Sequence, residues 1–170
     1  ESYRVIVYDR RFGGKSKSPL VVQTWDMVCQ DVFDLMDSLG IGQAFLGGGS
    51  FGAAISFGCA ARRPERVRAI FPSNIAGGTI CDAYLAGKLF KSLDMAVNQG
   101  IPAVIDGFAL DDRFSPFSPA AAQYDPEYRK DLESMRPEDF AQVMRDTIYA
   151  LFDGPYLSLG MTQETLKGIR

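Results

Sequence analysis

The run Leu46-Gly47-Gly48-Gly49-Ser50-Phe51-Gly52 constrains this chain more than any other segment. Glycine loses the most backbone freedom on ordering, so a cluster of glycines is costly inside a regular element. It belongs where the backbone turns sharply or two backbones pass closely. The flanks say which. Gln43 to Leu46 reads as a short strand. Ser50 to about Arg62 reads as a helix of small residues, ended before Pro64, whose ring disfavours a helical residue ahead of it. The sequence therefore predicts strand, tight turn and helix, with Ser50 in the turn.

The neighbouring segments extend that alternation. Tyr3 to Tyr8 (YRVIVY) is β-branched and aromatic, which predicts a buried parallel strand. Asp9 to Ser18 is a polar, glycine-containing loop. Trp25, Val28, Val32, Leu35, Met36 and Leu39 recur at helical spacing, with Thr24 placed to cap the start and Gly40 to stop the end. Val67 to Phe71 is another apolar strand. Strand, helix, strand, helix, strand is an α/β pattern with a parallel sheet, βαβαβ. Trp25, Phe33 and Met36 are expected to be core or cap-facing apolar residues. The basic cluster Arg62, Arg63 and Arg66 is expected to favour the C-terminal end of its helix rather than nucleic acid.

Beyond Ile75 no strand pattern recurs. Helices are expected over Thr79–Gln99, stopped by Gly100, over about Asp125–Met135, over Glu138–Phe152 behind Pro137, and over Thr162–Lys167. Residues 113–120 (RFSPFSPA) read as a loop, and Asp111, Asp112 and Asp153 as solvated loop charges. The division expected is a core over 1–76 and a mainly helical region over 77–170.

Composition excludes several functions. The chain has 170 residues and a formal charge of −3, so no bulk field favours nucleic acid or acidic lipid. No apolar run approaches the ~20 residues of a membrane helix, and no leader pattern is visible. Cys29, Cys59 and Cys81 are scattered, which suits a reducing, cytoplasmic setting and makes no metal site. No metal or organic cofactor is implied, and the expected partner is a small-molecule substrate. Oligomeric state is not legible. There is no histidine at all. Glu1 in place of an initiator Met, and Arg170 after a helical pattern with no finishing strand, suggest a piece of a longer protein.

The glycine run matches two chemical patterns. Gly48-x-Ser50-x-Gly52 is the G-x-S-x-G nucleophile elbow. In an elbow the serine sits in a strained turn, small neighbours let strand and helix pass, and Oγ projects at a helix N-terminus. The N–H groups there, that of Phe51 among them, can hold a developing oxyanion. Gly47-x-Gly49-x-x-Gly52 is a dinucleotide fingerprint. That pattern needs an acidic residue at the end of the next strand, where this chain has Phe71-Pro72-Ser73-Asn74. A phosphate loop at Gly14-Lys15-Ser16 is rejected, because Asp9 stands where its first glycine belongs.

Taken together, these motifs resemble the α/β-hydrolase superfamily in its cap-bearing branch. Asp9, Arg11, Gly14 and Ser16 resemble the loop written D-x-R-G-x-G-x-S, with Phe12 where the pattern has glycine. Gly48, Gly49, Ser50, Phe51 and Gly52 resemble the elbow, and Ala60 to Val67 (AARRPERV) the run before the following strand. The helical block falls where the family inserts its cap, and Leu166 to Arg170 resembles the lead-in to the next strand. The resemblance implies a partial α/β-hydrolase core followed by a helical cap, and a serine hydrolase acting on an ester, lactone, amide or activated C–C bond. Ser50 would be its nucleophile and the Phe51 N–H an oxyanion donor. It also implies that the first three strands, the H-G loop, the acid and the histidine lie outside these residues. One of those strands would sit between Tyr3–Tyr8 and Gln43–Leu46, so a gap in the sheet is expected. Non-catalytic binding by the same fold, and nucleotide binding, are the alternatives.

Overall fold

A computed structural model of the chain describes residues 2–75, 79–110, 120–152 and 167. Helix α1 covers Trp25–Ser38, strand β1 Ala44–Ser50, helix α2 Phe51–Arg62 and strand β2 Val67–Ile75. The helical region continues with α3 (Thr79–Gln99), α4 (Ile101–Leu110), α5 (Pro126–Glu133) and α6 (Pro137–Phe152). The loop at 113–120 (save Ala120, in a short 3-10 turn), the helix expected at 162–167 (save the helical Lys167), and Asp111, Asp112 and Asp153 lie outside the described residues, as does the side chain of Cys81.

Local rules account for most of these boundaries. The Thr24 hydroxyl accepts from the Met27 N–H at 3.3 Å, capping α1, and Gly40 leaves the helix with φ +67°. The apolar stripe of α1 (Trp25, Val28, Val32, Phe33 and Met36) is buried. Its close partner is α2. An added Cβ at Gly58 would lie 2.8 Å from the Cys29 sulfur, so the small residues of α2 set how near the two helices come. The basic cluster acts across that interface rather than only at a helix end. Arg62 pairs with Asp26 at 2.7 Å, Arg63 donates to the Gln30 side chain at 3.0 Å, and Arg66 pairs with Asp37 at 2.5 Å.

The sheet is shorter in strand number and longer in strand length than the sequence suggests. β1 and β2 pair in parallel, with Phe45 opposite Ala69 and Gly49 opposite Ser73. Both strands run further than their apolar stretches: β1 continues through the glycines to Ser50, and β2 to Ile75. The expected strand at Tyr3–Tyr8 is not formed. Val5 is 82% and Val7 90% exposed, so the buried parallel strand is corrected to a largely exposed segment without regular secondary structure. A strand is defined by its neighbours, and among the described residues the only sheet has two strands. A cavity of about 380 Å³ is lined both by Ile6–Arg10 and by Leu46 and Gly47. It lies between the Tyr3–Tyr8 segment and β1.

Helix α4 is the element that the sequence pattern did not announce. Pro102 and Gly107 punctuate it, yet proline in a first turn costs no intrahelical bond. Gly100, at φ +88°, makes the corner between α3 and α4. α3 packs on both α4 and α6. Phe140, Met144, Ile148 and Leu151 of α6 and Ile101, Val104 and Ile105 of α4 join one buried cluster with the α1 stripe.

The chain between the D-x-R loop and α1 forms the platform for the helical region. Tyr128 Oη donates to the Ser18 carbonyl at 2.8 Å, the Gln23 N–H to Thr147 Oγ1 at 3.0 Å, and Trp25 Nε1 to the Leu151 carbonyl at 3.1 Å. Asp125 adds a fourth tie. It accepts from the Glu127 and Tyr128 N–H groups at the start of α5 and pairs with Lys17. The Lys17 ammonium first, and those N–H groups after it, hold the Asp125 carboxyl below its ordinary 3.8. The fold therefore favours the ionised carboxylate. Its stabilisation is complete above that ordinary value and is lost as pH falls through the depressed one. Acidification below about pH 4 should loosen α5, and Asp125→Asn should flatten that response in amide exchange of the α5 residues. An unaltered acid response in the variant would refute the assignment.

Candidate functional site

Strand β1 delivers Ser50 to its C-terminal end, and α2 begins with the next residue. Ser50 has φ 53° and ψ −118°, in the left-handed half of backbone space that a residue with a Cβ rarely enters. The strain is local to the turn, because the chain must reverse from strand to helix within one residue. The side chain is exposed and does not cap α2. The pairing with β2 also slips at this point, from Gly49–Ser73 to Ser50–Ile75.

The glycines divide into distinct roles. An added Cβ at Gly48 would meet the Gly52 backbone, 2.7 Å from its carbonyl carbon and 2.9 Å from its Cα. Backbone cannot rotate away as a side chain would, so Gly48 is sterically required. At Gly49 the nearest contact would be the Ser73 carbonyl at an ordinary 3.6 Å, and at Gly52 an added Cβ meets nothing within 4 Å. Gly52 thus contributes a backbone that passes close to Gly48, and its own lack of a side chain is not what the turn demands.

Phe51 opens α2, and its N–H belongs to the first turn, whose donors point out of the helix N-terminus. Its ring is buried and stacks on Trp25, with centroids 5.0 Å apart and planes at 29°. The Arg10 guanidinium lies over the same ring, 4.9 Å from the centroid. Neither contact was legible in the sequence, because Arg10, Trp25 and Phe51 come from three separate segments.

The D-x-R loop residues are brought together as one closed unit. The Asp9 carboxylate accepts from the Lys15 N–H at 2.9 Å, and Ser16 Oγ donates to the Asp9 carbonyl at 2.7 Å. Gly14, at φ +51°, lies so near the Asp9 carboxylate that a Cβ there would run into it. Arg11 reaches out of the loop and clamps Asp31 of α1 through two bonds, of 2.6 and 2.5 Å. Phe12, in the place of the pattern's glycine, adopts φ 58° itself and is 1% exposed. Burial of its ring offsets the cost of that backbone.

The cavity beside Ile6–Arg10 also touches Gly47, Gly52, Ile55 and Ser56, but Ser50 is not among its lining residues. The acidic residue required by a dinucleotide reading is lacking along all of β2, which reads VRAIFPSNI. Chemically, the elbow presents an exposed hydroxyl at a strained turn, beside a helix N-terminus that favours negative charge.

A family model described as alpha/beta hydrolase fold matches residues 1–156. Proline iminopeptidases of Neisseria meningitidis (strain Z2491) and of Neisseria gonorrhoeae are each 34% identical over 71 residues, 40% of this chain and 23% of theirs. Among solved structures, a hydrolase from Pseudomonas aeruginosa PA01 shares 21% identity at a TM-score of 0.49, over 83% of this chain and 52% of that one. An alpha/beta hydrolase enzyme from a Medee basin deep-sea metagenome library shares 20% at 0.46, over 84% and 52%. The chain thus spans under a quarter of the length of these curated relatives and about half that of these solved structures.

Proposed function

The chain belongs to the alpha/beta hydrolase fold family, and from that premise we propose that it carries the nucleophile of a serine hydrolase. The observation that carries the reading is Ser50 at φ 53° between β1 and α2, with Gly48 pressed against the Gly52 backbone. That is the geometry a G-x-S-x-G nucleophile needs. Ser50 Oγ attacks the substrate carbonyl carbon. The C–O bond forms, the hydroxyl proton passes to an imidazole base, and the carbonyl oxygen becomes an oxyanion facing the Phe51 N–H. Collapse expels the leaving group, which takes the proton back, and water then releases the acyl group. The substrate class is an ester, lactone, amide or activated C–C bond, and the name of the Neisseria relatives supports including peptide bonds in it. The chain contains no histidine, so the base comes from residues beyond these 170. In the same reading, residues 1–76 are part of the catalytic core and 77–170 a helical cap that shapes the substrate site.

A fluorophosphonate tests this directly. In the natural full-length protein it should phosphonylate Ser50, found by peptide mapping, with fluoride displaced from phosphorus. Labelling of a different residue, or none, would overturn the reading. The 170 residues alone should react far more slowly, since an oxyanion donor without a base leaves only residual catalysis.

A second reading, a binding protein that keeps the fold without the chemistry, holds only if the natural full-length protein supplies no histidine either. The same labelling experiment separates the two.

A further inference from the structure

We infer that Arg10 is a positioning residue for the oxyanion donor: its guanidinium, together with the Trp25 indole, fixes the ring of Phe51 and through it the peptide that joins Ser50 to Phe51. The inference rests on the assignment of Ser50 as nucleophile.

The direction of the Phe51 N–H is set by the plane of the Ser50–Phe51 peptide. That plane depends on ψ of Ser50, which sits at −118° in a sparsely populated region. A strained peptide of this kind keeps its orientation only if the next residue is held. That residue, Phe51, is the first of α2, where no preceding helical turn restrains it. Its ring is the available handle. Trp25 stacks on the ring at 5.0 Å, and Arg10 lies over it at 4.9 Å. Both holders are themselves anchored. Trp25 is 5% exposed and donates through Nε1 to the Leu151 carbonyl at the end of α6. Arg10 comes directly after Asp9, whose carboxylate and carbonyl tie the loop to Lys15 and Ser16, and precedes Arg11, which is clamped to Asp31.

The chemistry of the contact suits the role. A cation attracted to a ring face is stronger when water is kept away, and burial lowers the Arg10 pKa only to about 10, so the guanidinium stays charged at neutral pH. The planar guanidinium also stacks as well as attracts, which a point charge does less well. Because Arg10 acts on the ring, it shapes the step in which negative charge develops on oxygen. It does not contribute to holding the ground-state substrate.

The test uses the natural full-length protein and an uncharged fluorophosphonate, with the limiting rate of phosphonylation and the half-saturating concentration measured separately. Arg10→Leu should lower the limiting rate by roughly 10- to 100-fold, less than outright loss of an oxyanion donor, with half-saturation changed less than about twofold. Arg10→Lys keeps the charge over the ring and should recover much of the rate. A limiting rate unchanged in Arg10→Leu overturns the inference. So does a rise in half-saturation at constant limiting rate, which would make Arg10 a binding group. If Arg10→Leu fails to fold, Arg10→Lys and Arg10→Gln carry the test. The two should then differ in limiting rate by at least about threefold, and equal rates overturn the inference. Failure of the underlying reading is distinct: Ser50→Ala would then leave labelling intact, whereas failure of the inference alone leaves Ser50→Ala unreactive and the Arg10 variants fully reactive.

Discussion

Ser50→Ala in the natural full-length protein should lower turnover of a chromogenic ester or aminoacyl anilide by about a million-fold, with KM little changed. On the proposed mechanism, the magnitude comes from the attack that the hydroxyl makes. In a triad the nucleophile and base act as a unit, so removing the attacking oxygen removes the covalent route entirely. What remains is the small catalysis of binding and oxyanion stabilisation. The fold should not suffer. Ser50 is exposed and its side chain caps nothing, so alanine removes no buried contact and no helix cap. The variant should therefore show an unchanged denaturant midpoint alongside abolished turnover. Turnover within about tenfold of the parent would exclude Ser50 as nucleophile.

The second large effect concerns stability, and two glycines of one motif should respond in opposite directions. Gly48→Ala places a methyl 2.7 Å from the carbonyl carbon of Gly52, where only movement of β1 away from α2 can relieve it. Overpacking against backbone should cost roughly 2–3 kcal/mol, at the upper end of the usual range. It should also displace Ser50, and an ångström of misplacement at a reacting group costs about 100-fold in rate. Gly52→Ala meets nothing within 4 Å and lies in the first turn of α2. Removing glycine there reduces the freedom of the unfolded chain and should stabilise by roughly 0.4–1 kcal/mol. Urea midpoints of the two variants, measured with the fluorescence of Trp25 in a chain with one tryptophan, check both signs. A Gly48→Ala variant as stable as the parent would show that the strand–helix crossing is looser than its geometry indicates.

Much of the fold was legible because it is written in short-range rules. Thr24, Gly40 and the apolar stripe between them define α1 with no reference to the rest of the molecule. Pro126 behind Asp125, and Pro137 ahead of Glu138, announce α5 and α6 in the same way. α4 carried the same proline signal at Pro102, but Gly107 diluted it. The strand–turn–helix at Ser50 was legible because the glycines cluster between an apolar strand and a small-residue helix.

The residues that surround the elbow were not legible. Nothing in the spacing of Arg10, Trp25 and Phe51 announces a stack. The composition of Tyr3–Tyr8 does not by itself reveal that the run goes unpaired among the described residues; only the family resemblance put a gap in the sheet beside it. Its residues have the composition of a buried strand, yet Val5 and Val7 face solvent.

The sequence by itself determined where α1, α2, α3, α5 and α6 lie to within a few residues, that β1 and β2 flank a crossover helix, and that Ser50 occupies the turn between strand and helix. These depend on dihedral preferences and on hydrogen bonds within a few residues, which each segment carries with it. Only the tertiary structure decided which extended segment becomes a strand, that Gly48 rather than Gly52 is the sterically required glycine, and that Phe51 is held by Arg10 and Trp25. Each of those depends on a backbone or ring arriving from a distant part of the chain, and the free energy of such a contact belongs to the pair and not to either sequence segment.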